Sequence, residues 1–167
     1  IAVECSSFQL ETIESFHPRC SGVINITPDH LDRHRTMENY AEIKSRIFMN
    51  QDPDEYTVLN RQDPWIAEFK PPCRTLFFST DSVLERGVWV EDGRITVSLE
   101  GKREVICAVS EVKLRGRHNL ENVLCAVGMT RAVGIAPEAI RQALVTFEGV
   151  RHRLQEVRTL NGVLYVN

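Results

Sequence analysis

No apolar run in this chain approaches the roughly 20 residues that a helix needs to cross a bilayer. No basic segment leading into an apolar one opens it, so neither a membrane span nor a secretion signal is expected. Cys-x-x-Cys pairs are missing too. The five cysteines, scattered from Cys5 to Cys125, are odd in number, which argues against a disulfide framework or a structural zinc site and fits a reducing cytoplasm. Blocks of like charge are also absent and the net charge is −3, so no footprint for nucleic acid or an anionic membrane is expected. What remains is an ordinary globular composition, 43% hydrophobic and 26% charged over 167 residues, enough for one domain with a core.

The apolar pattern reads as α/β. Residues 1–5 and 21–26 are short runs rich in β-branched residues with helix-compatible sequence between them, which predicts a buried strand, helix, strand unit. A helix over 37–50 and strands at 56–59 and 75–78 continue the alternation expected of a mostly parallel sheet flanked by helices. Between Gly87 and Ala108 two β-rich runs surround Asp92-Gly93, a tight hairpin signal, so a small antiparallel ribbon is expected there. Two helices follow, one from Asn119 to about Val133 and one opening at Pro137 that would bury Ile140, Ala143, Leu144 and Phe147. A second hairpin is expected from Leu154 to Val166 around Asn161-Gly162. The chain starts and stops inside strand-like runs, as a segment cut from a longer polypeptide would.

Several residue groups could carry chemistry. Asp29-His30-Leu31-Asp32-Arg33-His34 follows the 21–26 strand, and ligands of open parallel sheets bind beyond the carboxyl ends of strands. The group reads equally as a solvated loop with a capping aspartate or as a metal or substrate site. Glu4, at the end of the first predicted strand, would converge with His30 on one crevice and suits a hard cation such as Mg²⁺ better than the imidazole does. On a 100° helical wheel Lys44 falls within the apolar stripe of positions 37, 40, 41, 47 and 48. Its ammonium either snorkels to water, pairs with an anion, or loses its charge, as by carbamylation. Asn119 is an ordinary N-cap or, with Asn122 a turn later, a reader of an adenine edge. Arg151-His152-Arg153 is a basic turn or a phosphate clamp.

Together these runs resemble the Mur ligases. Glu4-Cys5-Ser6-Ser7-Phe8-Gln9-Leu10-Glu11 is similar to the family's glutamate-bearing strand end in its D-glutamate-adding branch. Asn25 to His34, followed by Met37-Glu38-Asn39-Tyr40 and Lys44, resembles its metal-and-carbamate region, Gly116 to Asn122 its adenine-side helix start, and Val150 to Leu154 its phosphate-side arginine. The resemblance implies the central, ATP-binding domain of such a ligase over residues 1–167, with a P-loop-type sheet. It further implies an ATP-driven ligation through an acyl phosphate, joining D-glutamate to UDP-N-acetylmuramoyl-L-alanine. Glu4 would hold one Mg²⁺, and His30 with a carbamylated Lys44 a second. Asn119 and Asn122 would contact adenine, Arg153 the terminal phosphate, and Ser6 and Gln9 the UDP-muramoyl substrate.

The chain departs from that pattern in one respect: no Gly-x-x-Gly-Lys-[Ser/Thr] phosphate loop occurs in it. The phosphate loop is expected upstream and a domain binding the incoming amino acid downstream, so the isolated segment should be inactive. The intact enzyme is expected to be a cytoplasmic monomer. Rival readings are another Mur or folylpolyglutamate ligase branch, a non-catalytic nucleotide-binding module, and a metal-dependent hydrolase built on Asp29–His34.

Overall fold

In the computed structural model of the chain, residues 1–150 and 156–166 are described. The main sheet has six strands in sequential order: β1 (Cys20–Val23), β2 (Tyr56–Asn60), β3 (Arg74–Ser79), β4 (Gly87–Glu91), β5 (Arg94–Leu99) and β6 (Lys102–Ala108). The first four run parallel, and the last two continue the same sheet antiparallel. The expected ribbon is therefore an extension of the main sheet rather than a separate unit, because β4 pairs with β3 as well as with β5. A separate hairpin, β7 (Glu156–Leu160) and β8 (Val163–Val166), turns at Asn161-Gly162 as expected. Both predicted turn dipeptides take the left-handed region, at φ 48° and 70° for Asp92-Gly93 and 49° and 80° for Asn161-Gly162, the twist that closes a two-residue hairpin.

Five α-helices surround the strands among the described residues: α1 (Ser7–Leu10), α2 (Leu31–His34), α3 (Met37–Ser45), α4 (Arg117–Ala132) and α5 (Pro137–Thr146). β2 is buried along its whole length because both of its faces are covered. On one face Val58, Leu76, Phe78 and Val88 meet Val123, Leu124 and Val127 of α4. On the other Val23, Ile26 and Leu59 meet Tyr40 and Ala41 of α3, Phe48 and Ile66. Helix α4 lies close to the sheet because Gly22 and Gly128 carry no side chain. A Cβ on Gly128 would stand 2.8 Å from Val58 Cγ1, and one on Gly22 2.7 Å from Cys125 Sγ.

Four sequence expectations need correction. Residues 1–5 form no strand: Ile1 and Val3 are exposed and pair with no neighbouring strand, and β-branched residues favour extended structure only where a sheet receives them. The helix from Met37 ends at Ser45 and passes into a 3₁₀ turn, Arg46–Phe48. The helix expected from Asn119 begins at Arg117, with Gly116 at φ 95° as its N-cap, so Asn119 is its third residue rather than the cap. In α5 Ile140 is buried, but Ala143 and Phe147 are exposed.

Candidate active site

A cleft of about 350 Å³ opens beyond the carboxyl end of β1, lined by Glu4, Cys5, Ser6, Ser7, Gln9, Asp29, His30, Tyr40 and Lys44. One wall is the segment leading into α1, and the other is the loop after β1 together with α3. Each wall is fastened from behind. The chain leaving β1 is tied to β2, since Asn60 Nδ2 donates to the Ile24 carbonyl at 2.9 Å and the Ile26 N–H donates to Asp63 Oδ2 at 2.8 Å. The first wall is held by Arg46, whose guanidinium donates to the carbonyls of Leu10 and Ile13, both at 2.8 Å. Asn50 does the same for Glu14 and Phe16.

The cleft contains five of the residues singled out from the sequence: Glu4, Ser6, Gln9, His30 and Lys44. Glu4 is exposed. Ser6 and Gln9 are each other's partners in a capping box on α1. The Ser6 N–H donates to Gln9 Oε1 at 2.8 Å, and the Gln9 N–H donates to Ser6 Oγ at 3.3 Å. This arrangement occupies their oxygens and leaves the Gln9 amide nitrogen without a partner among the described residues. His30 adopts φ 51°, a left-handed conformation that a non-glycine residue enters at a cost of about 1 kcal/mol. Asp29 supports it: its Oδ1 accepts from the His30 N–H at 2.9 Å and its Oδ2 lies 3.4 Å from His30 Nε2. The His30 ring packs on Phe8, centroids 4.9 Å apart.

Lys44 is half-buried, its stem in the apolar stripe as the wheel places it, and its Nζ stands 5.7 Å from the centre of the Tyr40 ring. It makes no ion pair among the described residues. Burial raises the Tyr40 hydroxyl above its ordinary pKa, and the charge of Asp29 adds to the effect, so the phenol stays a neutral donor in the cleft.

Tyr40, Asp29 and Ser7 were not singled out individually from the sequence. Tyr40 had a readable signal, since it stands one turn before Lys44 on the same helical face. His34 had none: grouped with His30 by sequence, it is buried while His30 is exposed. Its Nε2 lies 2.9 Å from Ser7 Oγ and its Nδ1 3.3 Å from Glu11 Oε1. The second contact is misaligned for a hydrogen bond, which leaves Nδ1 the one buried side-chain nitrogen or oxygen without a partner among the described residues. Arg33 hydrogen-bonds Glu11 and holds its carboxyl below the usual carboxylate range.

Asn119 and Asn122 do not line this cleft. Asn119 Nδ2 donates to the Arg115 carbonyl at 2.7 Å, a bond that fastens the start of α4, whereas Asn122 is exposed and has no partner among the described residues. Arg153 lies outside the described residues.

Two carboxylates, an imidazole and three hydroxyl-bearing side chains line the cleft with one lysine. That oxygen-rich set suits a hard divalent cation bound through one or two protein ligands, with Glu4, Asp29 and His30 lining the cleft but their ligand atoms not all within 4.8 Å of one another, beside an anion near Lys44. As an ammonium Lys44 cannot ligate a cation; as a carbamate it could. A three-layer α/β domain with a polar cleft at a strand's carboxyl end is the arrangement in which open α/β sheets bind their ligands. The chain belongs to the Mur ligase family: the family's middle-domain model matches residues 1–130.

The whole chain is 50% identical over 169 aligned positions to the UDP-N-acetylmuramoylalanine–D-glutamate ligase of Thermoanaerobacter sp. (strain X514). It is also 50% identical over 169 positions to the enzyme of that name from Pelotomaculum thermopropionicum. In both cases it spans 37% of the relative's length. Among solved structures the fold is similar to MurF from Acinetobacter baumannii, with TM-score 0.70 and 21% identity over 89% of this chain and 33% of that one. No helix among the described residues is long and apolar enough to cross a membrane.

Proposed function

We propose that this chain is the nucleotide-handling domain of a ligase that uses ATP to join D-glutamate to UDP-N-acetylmuramoyl-L-alanine. The observation that carries the reading is the meeting of Glu4, Asp29, His30 and Lys44 in one cleft, in a chain half identical over its whole length to ligases of that name. The share of the relatives that it spans accommodates a phosphate loop before residue 1 and an amino-acid-binding domain after residue 167. The five free thiols suit a cytoplasmic enzyme, working as a monomer.

In this reading the alanyl carboxylate lies in the cleft and attacks the γ-phosphorus of ATP, forming an acyl phosphate and releasing ADP. The amine of D-glutamate then adds to the acyl carbon, loses a proton, and the tetrahedral intermediate expels phosphate. Bound Mg²⁺ would neutralise the charge gathered between the phosphates and the carboxylate. Glu4 would hold one such ion, and His30 with a carbamylated Lys44 a second, while Asp29 keeps the His30 ring in place. Ser6 and Gln9 would face the muramoyl substrate, Asn119 and Asn122 the adenine, and Arg153 the terminal phosphate. Preorganised charge of this kind is the main lever on phosphoryl transfer.

The test is phosphate release by the full-length protein with UDP-N-acetylmuramoyl-L-alanine, ATP and Mg²⁺, comparing D-glutamate, L-alanine, L-lysine and no amino acid, with residues 1–167 alone in parallel. Release that needs D-glutamate, with the isolated segment silent, is expected. Release with another amino acid moves the chain to a different branch of the family, and none with any of them leaves a nucleotide-binding module.

A further inference from the structure

The two walls of the cleft come from stretches that are distant in sequence, residues 4–9 and 29–44, so something must set the gap between them. Ser7, His34 and Glu11 stand in the order of a hydrolase triad, hydroxyl to imidazole to carboxylate, at 2.9 and 3.3 Å. They cannot act as one: Ser7 is 2% exposed and the His34 side chain 0%, so no substrate carbonyl can reach the hydroxyl. The imidazole instead occupies the space beneath the cleft floor. It hydrogen-bonds Ser7 from the first wall and packs on Tyr40 from the second, with ring centroids 5.3 Å apart. Phe8 covers it at 5.7 Å and contacts His30 with the same ring.

Other side-chain links between the walls lie nearer the surface or further from the cleft: Phe8, 44% exposed, packs on His30, the Arg33 side chain that reaches Glu11 is 60% exposed and screened by water, and Arg46 grips the carbonyls of Leu10 and Ile13. His34 joins the two walls from a fully buried position, touching Ser7 and Tyr40 directly and His30 through the Phe8 ring. We infer that His34 is a positioning residue that fixes the Glu4 wall against the His30–Lys44 wall, and thereby the affinity for the divalent cation that Glu4 would hold. The inference rests on the cation role proposed above. Mg²⁺-type coordination tolerates only small errors in ligand placement, so a shift of about 0.5 Å in one wall is enough to weaken it.

The experiment uses the full-length protein and Mn²⁺ alone as probe, with binding read by electron paramagnetic resonance in the absence of nucleotide and sugar substrate. His34→Phe keeps the ring stacked between Phe8 and Tyr40 but removes the bond to Ser7, and Ser7→Ala removes only the hydroxyl. About tenfold weaker Mn²⁺ binding is expected in His34→Phe and a smaller loss in Ser7→Ala, the scale seen when the support of a metal ligand is removed. Glu4→Gln, which should also lose the ion, assigns the binding to the cleft. Thermal midpoints are measured alongside, and if His34→Phe fails to fold, Ser7→Ala decides. Mn²⁺ affinity unchanged in the folded variants overturns the inference, even if their thermal midpoints move, and so does a wild-type protein that binds no Mn²⁺. Because the probe needs no turnover, absent ligation with Mn²⁺ binding lost in the variants would remove the proposed reaction and leave His34 in its role.

Discussion

Lys44 Nζ stands over the face of Tyr40, 5.7 Å from the ring centre, in the same cleft that Glu4 and His30 line. A lysine drawn toward an apolar stripe is explained in part by this contact, since a cation over an aromatic face gains about 0.5–1 kcal/mol. That is too little to decide the position, because a leucine there would bury its side chain with no ammonium to desolvate. The proposed role of the amine in the cleft supplies a further reason for a lysine at this position.

If the amine is carbamylated, the full-length protein incubated with ¹³C-bicarbonate will show a carbamate carbon resonance that Lys44→Arg lacks. Ligation by Lys44→Arg should fall about a hundredfold or more, the scale of removing a group that stabilises developing charge. A Lys44→Arg enzyme of near wild-type turnover would dismiss the modification.

The two asparagines of α4 should separate by assay. Asn119 already spends its amide on the Arg115 carbonyl, so Asn119→Ala should lower stability by about 0.5–1.5 kcal/mol, measured by urea unfolding. Asn122 is exposed and has no partner among the described residues, so Asn122→Ala should leave unfolding within about 0.5 kcal/mol of wild type. In the full-length enzyme it should raise the KM for ATP about two- to tenfold, the worth of one hydrogen bond. The opposite pattern would make Asn122 structural.

Stability should have two pH limbs. The carboxyls of Glu11 (hydrogen-bonded by Arg33), Glu104 (by Lys102 and Arg131), Glu111 (by the Ala108 N–H) and Glu148 (by Lys113) are all lowered from 4.5. Their contribution is complete above 4.5 and is lost as pH falls through the folded values. His17 is raised from 6.5, chiefly by its hydrogen bond to Glu55, so its contribution is complete below 6.5 and is lost as pH rises through the folded value. Thermal midpoints across pH should therefore peak between the limbs. In His17→Gln the decline on the alkaline side should flatten while the acid limb stays.

Gly128→Ala tests how closely α4 lies on the sheet. Alanine favours a helix interior by about 1 kcal/mol over glycine. Against this, the new methyl would come within 2.8 Å of Val58 Cγ1 and 3.3 Å of Val88 Cγ2, both on fully buried valines whose branched side chains have little room to turn. Overpacking costs about 1–3 kcal/mol, so net destabilisation is expected in denaturant unfolding. A more stable Gly128→Ala would show that the helix can lift off the sheet at little cost.

Tyr56–Asn60 and Arg74–Ser79 were legible as strands because β2 needs apolar residues on both faces, and the hairpins were legible because Asp92-Gly93 and Asn161-Gly162 enter the left-handed region cheaply. Lys44 stood out because it falls in the apolar stripe of its helix, and Glu4 and His30 because they follow strand-like runs; all three line the cleft. Residues 1–5 misled, since a β-branched run states a preference that only a neighbouring strand can satisfy. The start of α4 misled because Gly116, not Asn119, takes the cap conformation.

By itself the sequence determined which residue types are present and their local periodicity, and these suffice for elements, turns and the family's motifs. Tertiary structure alone decided that His30 faces the cleft while His34, one helical turn away, lies beneath it against Ser7 and Tyr40. Burial and pairing depend on what long-range packing brings alongside a side chain, and two histidines four residues apart carry no local mark of which will be covered.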